Sequence, residues 1–176
     1  VGKTLKFLGF SFSAPDQFSL WKSHELIKSE SKKPNCNLFI TLNSHCNWHS
    51  PLSIAEDYEK LNTLDFETTE DTPIPKLENY KKAIFYQLKM LLDYIHKNPD
   101  RIYILFGDHQ PPYITKGEEG FDTPVYVFSK NLNLIKSLYN QEFKKSLSKL
   151  DITKSITHEG FYSLFMQALS QTFGEI

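Results

Sequence analysis

An acid and an imidazole stand side by side where an apolar run of the sequence ends. Residues 102–106 are apolar, and Gly107, Asp108 and His109 follow them, before a glutamine and two prolines. A carboxylate oxygen and a neutral imidazole nitrogen are good ligands for zinc or manganese. Gly107 permits a break in the extended chain, so both side chains can turn towards one ion, and the prolines stiffen the loop. The residues alone leave two interpretations open: a metal site, or a common turn with a polar histidine.

A second polar cluster follows another apolar run. The stretch TLNSHCNWHSP comes directly after the run LFI, and it carries His45 and His49. In open α/β sheets, ligands bind outside the carboxyl ends of the strands, because the loops converge there. If both runs are strands of such a sheet, we expect the two clusters at the same edge. The alternative is a loop that Trp48 anchors in the core while the histidines face solvent.

Other arrangements that could do chemistry are weak or absent. His158 stands in the first turn of the predicted last helix, where a ligand role and a structural role both remain open. The sequence contains no nucleophile elbow, phosphate-binding loop, dinucleotide fingerprint or Cys-x-x-Cys motif. Cys36 and Cys46 flank a predicted strand that is too long for a disulfide to bridge, so we expect two free thiols.

Strands and helices alternate along the chain, and these elements must position the polar clusters. Alternating elements with continuous apolar strands predict an α/β fold, in which helices flank a mainly parallel sheet, as a single domain over residues 1–176. Asp16 can cap the first helix and Thr157 the last. The predicted elements are a strand at 5–12, a helix at 17–29, a strand at 36–43, a short helix near 54–61, a helix at 76–98, strands at 101–106 and 123–129, and a helix from 158.

Two of the predicted helices have an apolar face. Apolar side chains that recur at spacings of three and four lie on one side of a helix, and we expect these faces to be buried. In the long helix the apolar face consists of Tyr80, Ile84, Leu88, Leu91 and Ile95. In the last helix it consists of Phe161, Leu164, Phe165, Ala168 and Leu169.

The composition is that of a globular domain with no excess of either charge. The 176 residues are 40% hydrophobic and 14% aromatic, with 20 basic and 21 acidic side chains. This balance gives no basic field for non-specific binding of nucleic acid. No stretch reaches the roughly 18 to 20 apolar residues of a membrane-spanning helix, so we expect a soluble chain.

The order of motifs along the chain resembles one protein family. The motifs are FLGF with APDQ, then LFITLNSH, then YKKAIFY, then ILFGDHQPP, then DTPVYVFS. In this order they resemble the later part of the sulfatase-like branch of the alkaline phosphatase superfamily, which includes lipoteichoic acid synthases and phosphoethanolamine transferases. The resemblance runs from about residue 5 to residue 129, and the Asp-His pair is its most specific element. It implies an alkaline phosphatase-like fold.

The resemblance assigns roles to the residues that match. Asp108 and His109 look like the metal-ligand pair after a core strand, and His45 looks like the histidine that contacts the transferred phosphate or sulfate. In the loop of that histidine, Asn47 replaces the proline of the family. His49 and His158 are additional candidate contacts to substrate or metal. The family implies a divalent metal ion, zinc or manganese with calcium as a further candidate, and a covalent phospho-enzyme or sulfo-enzyme intermediate.

The chain departs from the family in one large respect. In the family an earlier strand supplies an acidic metal ligand, and a Thr, Ser or modified Cys nucleophile begins the next helix; no residue here matches either. We therefore expect the carboxyl-terminal part of a catalytic domain, with the amino-terminal half upstream. Such a chain should bind metal weakly and turn over nothing by itself. Asp16 resembles the acid of a family turn before a helix, and we interpret it as structural.

The function that the resemblance implies is metal-dependent hydrolysis or transfer of phosphate or sulfate esters. The substrate would carry a lipid or glycan head group, and the domain would lie on the periplasmic or extracellular face of a bacterial inner membrane. Two alternatives remain open. One is a truncated, non-catalytic relative that serves as a binding or scaffolding module. The other is a cytoplasmic relative similar to sugar-phosphate mutases, which shares the Asp-His pair but would need more histidine ligands than can be placed here.

Overall fold

The computed structural model describes residues 14–30, 35–46, 48, 53–62, 76–111, 114–115, 122–140, 143 and 155–174. The helices within these residues are α1 (Asp16–Glu30), a 3₁₀ helix (Tyr58–Asn62), α2 (Leu77–Lys97), α3 (Leu132–Tyr139) and α4 (His158–Phe173). The strands are β1 (Tyr103–Phe106) and β2 (Val125–Phe128). The predicted strand at 5–12 lies outside the described residues.

The chain divides into two compact units. The first contains the described residues up to Tyr94 together with Pro111 and Ile114. The second contains Ile95–Gln110 and the described residues from Thr115 onwards. The single domain expected over residues 1–176 stays a prediction.

Aromatic rings dominate the core of the first unit. The ring of Trp21 meets that of Tyr94 edge to face, with centroids 4.8 Å apart, and lies 6.2 Å from the ring of Tyr58. An edge-to-face pair contributes about 0.5–1.5 kcal/mol beyond the area that it buries. Tyr58 belongs to the 3₁₀ helix, so these rings connect it to α1 and α2. Among the described residues of this unit, the buried hydrophobic ones are Leu20, Trp48, Leu61, Ala83, Tyr86, Met90 and Tyr94.

Helix α2 forms where the sequence predicts it, but a different face is buried. The predicted apolar face included Leu88, which is 43% exposed, and the other four residues of that face are only half-buried. The buried face is instead offset by part of a turn and includes Ala83, with Asn79 and Gln87 buried one turn before and after it. The predicted helix is confirmed and its predicted buried face is wrong. The buried residues are Asn79, Ala83, Tyr86, Gln87, Met90 and Tyr94.

The strands predicted at 101–106 and 123–129 are confirmed as β1 and β2. They pair antiparallel, with Tyr103 opposite Phe128 and Phe106 opposite Val125. The sequence predicts a mainly parallel sheet, but antiparallel edge strands occur on such sheets, so one pair does not decide the class. The predicted alkaline phosphatase-like α/β fold stays a prediction.

Helices α3 and α4 pack together in the second unit. Leu134, Leu138 and Ala168 are buried at their contact, and Val127 and Phe165 pack against them. The cap predicted for the last helix is confirmed, since the Thr157 hydroxyl accepts a hydrogen bond from Gly160 N at 3.1 Å. Ala168 is the only buried member of its predicted apolar face, and the other four are half-buried. Helix α3 was not predicted, although its cap, Asn131, accepts hydrogen bonds from Asn133 N and Leu134 N.

The segment predicted as a buried strand at 36–43 pairs with no other described segment of the chain. Leu38 is 78% exposed and Ile40 is 72% exposed, so the prediction of burial is wrong for these side chains. A buried strand needs hydrogen-bonded neighbours at its edges, and no described residue forms a ladder with this segment. Cys36 and Cys46, which flank it, are both free thiols, as expected.

None of the described helices combines the length and the apolar character needed to cross a bilayer.

Candidate functional site

The loop that follows β1 carries the candidate metal ligands. Its first residue, Gly107, accepts a hydrogen bond from the Thr123 hydroxyl through its carbonyl oxygen at 2.7 Å. A Cβ atom at position 107 would lie 3.2 Å from Thr123 Cβ, which is tighter than ordinary van der Waals contact. The sequence therefore needs glycine here because of the close approach of Thr123.

The far side of the same loop is held by a second side chain. The Gln110 amide donates to the carbonyl oxygen of Asp122. Asp122 and Thr123 are consecutive and lie shortly before β2, so two adjacent residues hold both ends of the segment 107–110. The antiparallel pairing of β1 and β2 places them there, and no sequence motif predicts these contacts.

Asp108 and His109 lie together on the surface of this loop. Their side chains are 84% and 55% exposed, and Asp108 Oδ2 lies 3.5 Å from His109 Nε2. Asp108 Oδ1 also accepts a hydrogen bond from His109 N at 3.0 Å. His109 Nδ1 lies 2.7 Å from the carbonyl oxygen of Gln110. A carbonyl oxygen only accepts, so Nδ1 must donate, and the lone pair of the neutral ring is on Nε2.

This geometry fits one ion bound by two ligands. With bonds of about 2.0–2.2 Å, two ligand atoms on a tetrahedral zinc ion are separated by about 3.4 Å. The separation of 3.5 Å between Asp108 Oδ2 and His109 Nε2 is close to that value. Histidine ligands usually donate their other ring nitrogen to a carbonyl or carboxylate, as His109 does. In the part of the chain that the structure describes, no group of three or more His, Cys, Asp or Glu side chains is placed to hold a metal.

His45 lies in a tight turn of the first unit. His45 N donates to Leu42 O at 3.0 Å, and Trp48 N donates to His45 O at 2.9 Å. The His45 ring is exposed, and its Nδ1 lies 2.6 Å from the carbonyl oxygen of Cys46. As in His109, the carbonyl acceptor places the ring proton on Nδ1 and the lone pair on Nε2. Both histidines are therefore oriented by the backbone of the next residue.

Trp48 anchors the loop that contains His45. Its side chain is 1% exposed, and its ring meets that of Tyr80 edge to face with centroids 5.3 Å apart. The backbone of Trp48 has φ of 47°, in the left-handed region that bulky residues rarely adopt. Burial of the indole offsets this backbone strain. The alternative in which Trp48 anchors this loop in the core agrees with its burial and with the exposed ring of His45.

Asp16 has a different role from the helix cap that the sequence predicts. Its carboxylate accepts hydrogen bonds from Leu42 N at 2.9 Å and Asn43 N at 2.8 Å, rather than from its own helix. Asp16 N donates to Asn43 Oδ1 at 2.9 Å. Burial raises the pKa of Asp16 to about 6, against the opposing effect of the two backbone donors. The predicted cap is wrong because these backbone N–H groups, 26 and 27 residues away, occupy the carboxylate.

The neighbouring residue makes a similar long-range contact. The Gln17 amide donates to Ala55 O at 2.6 Å and accepts from Ala55 N at 3.0 Å. Gln17 is 1% exposed. Sequence reasoning missed this contact, since neither periodicity nor capping rules predict a partner 38 residues away.

The remaining candidate residues are placed as follows. His158 is the first residue of α4 and is exposed, in the same unit as Asp108 and His109. Its neighbour Glu159 has a lowered pKa, because its own backbone N–H and the Thr157 hydroxyl donate to the carboxylate. His45 belongs to the first unit, and His49 lies outside the described residues. The structure thus brings Asp108 and His109 together, and the common edge with His45 stays a prediction.

Comparison with protein-family models, curated proteins and solved structures gives no match to this chain.

Proposed function

We propose that the chain is part of a metal-dependent hydrolase or transferase of phosphate or sulfate esters. The observation that carries this proposal is the Asp108–His109 pair. The two candidate ligand atoms are 3.5 Å apart, and the histidine ring is held in the tautomer that a metal ligand requires. The motif resemblance to the sulfatase-like branch supports the same function.

Within this proposal each residue has a defined role. Asp108 Oδ2 and His109 Nε2 hold a divalent ion, zinc or manganese with calcium as a further candidate. When bound, the ion neutralises charge on the ester and lowers the pKa of the attacking group. His45 contacts an oxygen of the transferred group through Nε2, while its Nδ1 donates to Cys46 O at 2.6 Å. His49 and His158 are additional contacts to the substrate or the metal.

The ester substrate carries a lipid or glycan head group, and the site faces the periplasm or the outside of a bacterial inner membrane. Both statements rest on the resemblance. One or two protein ligands rarely fix an ion, so the chain by itself should bind metal weakly. No residue of the sequence matches the nucleophile of the family, so the chain should turn over no ester.

Metal binding by the whole chain tests the proposal. Zinc and manganese are titrated by calorimetry into wild type, Asp108→Asn and His109→Gln. Each variant removes one of two ligands, so we expect affinity to fall at least tenfold. Asp100→Asn is the matched control, because Asp100 is an exposed acid of the same unit whose partner is Lys130, at 3.3 Å. Equal affinity in wild type and both ligand variants would refute the metal site.

A non-catalytic binding or scaffolding module is the second candidate. It is favoured by the finding that the described residues offer two ligands together rather than three. Both functions predict no turnover by this chain alone, so the sequence upstream separates them. A strand that ends in an acid, with a Thr or Ser some tens of residues later, favours the catalytic domain. Turnover of nitrophenyl phosphate or sulfate by the chain itself, at a rate that follows zinc or manganese loading, would contradict its predicted inactivity and exclude the non-catalytic module.

A further inference from the structure

Two consecutive side chains at the start of α1 reach both ends of the loop that contains His45. Asp16 binds the entrance of the loop, through two backbone N–H groups and the side chain of Asn43. Gln17 binds the exit, through the N–H and the carbonyl of Ala55. Six hydrogen bonds, including both oxygens of the Asp16 carboxylate to Leu42 N, therefore connect one helical turn to residues 42–55.

These contacts are buried, unlike the histidine that lies between them. Asp16, Gln17 and Asn43 are 3%, 1% and 1% exposed, whereas His45 is exposed. Buried hydrogen bonds are costly to break because the separated groups lose their partners without gaining water. Buried contacts on both sides of an exposed histidine keep its ring accessible while the backbone is held.

The orientation of Asn43 shows that the contact is specific. Asn43 Oδ1 accepts from Asp16 N, and no described residue accepts a hydrogen bond from its buried Nδ2. A flipped amide would place two donors against each other. Asn43 therefore presents its amide oxygen, and not its amide nitrogen, to Asp16 N.

A short path joins the buried contact to His45. Asp16 holds Leu42 N, and Leu42 O accepts a hydrogen bond from His45 N at 3.0 Å. His45 is therefore one hydrogen bond away from a residue whose own backbone is fixed. A side chain that must meet a phosphate or sulfate oxygen has to be held to within about 0.5 Å, and its supporting residues provide this precision.

We propose that Asp16 and Gln17 are positioning residues that hold the His45 loop at its two ends and so place the imidazole against the transferred phosphate or sulfate. The placement of the imidazole against substrate rests on the proposed function. The attachment of the loop to Asp16 and Gln17 rests only on the hydrogen bonds described above.

The test uses near-isosteric variants of the whole chain. Asp16→Asn removes the charge and one of the two acceptor oxygens, and Gln17→Met removes both contacts to Ala55. Gln17→Glu keeps the oxygen that accepts from Ala55 N and loses the N–H that donates to Ala55 O. This variant replaces Asp16→Asn in the test if Asp16→Asn does not fold. Glu25→Gln is the matched control, because Glu25 is an exposed acid on the same helix and pairs with Lys22 at 2.9 Å. Circular dichroism confirms that each variant is folded.

Two measurements are made on each variant. Amide hydrogen exchange reports on the backbone, and the imidazole resonance of His45 in histidine-labelled protein, with and without inorganic phosphate, reports on the side chain. We expect protection of the Leu42 and Asn43 amides to fall at least tenfold in Asp16→Asn. In Gln17→Met we expect protection of the Ala55 amide to fall by the same factor. In both variants we expect the His45 imidazole resonance to shift or broaden and to change less when phosphate is added.

The remaining outcomes distinguish a failure of this inference about Asp16 and Gln17 from a failure of the proposed role of His45. Unchanged protection and an unchanged His45 resonance in folded variants overturn the hold on the loop. Lost protection with an unchanged His45 resonance limits Asp16 and Gln17 to stability and overturns their positioning role. If His45 of the wild type does not respond to phosphate while the variants alter exchange and the resonance, the proposed role of His45 fails and the hold on the loop remains.

Discussion

Side chains hold both ends of each of the two candidate loops, but these side chains are buried in one loop and only half-buried in the other. The loop with His45 is held by Asp16 and Gln17, which are almost completely buried and act across 26 to 38 residues. The loop with Asp108 and His109 is held by Thr123 and Gln110, which are only half-buried and act across 16 and 12 residues. In both loops the side chains that could do chemistry are exposed, and side chain to backbone hydrogen bonds fix the ends. In each loop, therefore, the accessible side chains that could do chemistry differ from the side chains that hold the backbone in place.

The largest expected effect concerns Trp48, which has no counterpart in the second loop. Replacing this buried side chain by alanine removes its packing against Tyr80. Trp48→Ala should lower the free energy of unfolding by about 3–5 kcal/mol, as large-to-small core substitutions do. Chemical denaturation followed by far-ultraviolet circular dichroism measures it. A loss below about 1 kcal/mol would show that the indole does not anchor the loop.

Gly107 tests the close approach in the second loop. Gly107→Ala places a methyl group 3.2 Å from Thr123 Cβ, and this atom cannot move without its backbone. We expect a loss of about 2 kcal/mol, typical of overpacking. Gly160→Ala is the control, because its Cβ would meet atoms only at 3.5 Å or more, and alanine favours a helix. Equal thermal unfolding of the two variants would contradict the steric requirement at position 107.

The pH dependence of stability tests the burial of Asp16. Its pKa of about 6 lies above the ordinary value of 3.8, so the folded protein binds this proton more tightly than the unfolded chain does. The resulting stability is fully present below pH 3.8 and is lost as the pH rises through 6. Between pH 5 and 7 the free energy of unfolding should therefore fall by about 1.3 kcal/mol more in wild type than in Asp16→Asn. Burial and the charge of Asp16 also raise the pKa of Tyr86, but that phenol stays protonated throughout this range.

Urea unfolding followed by tryptophan fluorescence measures this difference. Both tryptophans of the sequence, Trp21 and Trp48, belong to the first unit, so the signal reports on the unit that contains Asp16. Parallel pH profiles for wild type and Asp16→Asn would show that the carboxyl group is not desolvated.

The smallest expected effect concerns the Thr123 hydroxyl. Thr123→Val keeps the shape of the side chain and removes its hydrogen bond to Gly107 O, which should cost about 1 kcal/mol. Thr123→Ser keeps the hydroxyl and should retain the exchange protection of the segment 107–110. If valine and serine behave alike, the hydroxyl does not hold this loop.

Local rules predicted the elements better than they predicted the contacts between them. Helix α2, the positions of β1 and β2, and the Thr157 cap follow from spacing and residue type, and the structure has each of them. The buried face of α2 could not be predicted, because its apolar residues spread over more than one side and the partners choose among them. The adjacent pair Asp108–His109 was visible in the sequence, since neighbours need no fold to meet.

The contacts of Asp16 and Gln17 could not be predicted in the same way. Asp16 precedes a helix, and capping rules assign its carboxylate to that helix. In the structure the backbone N–H groups of Leu42 and Asn43 take it instead. Only the path of the chain brings these groups to Asp16, and a single sequence does not encode that path in any local pattern.

The hydrogen bonds from Leu42 and Asn43 to Asp16 also limit how far a strand can run. In a pleated strand successive N–H groups point in opposite directions, towards the two neighbouring strands. Here two successive N–H groups point at one carboxylate, so the pleat has already ended at Leu42 and neither group is left for a neighbour. The two N–H groups that precede the turn of His45 are therefore committed to Asp16 and not to a neighbouring strand.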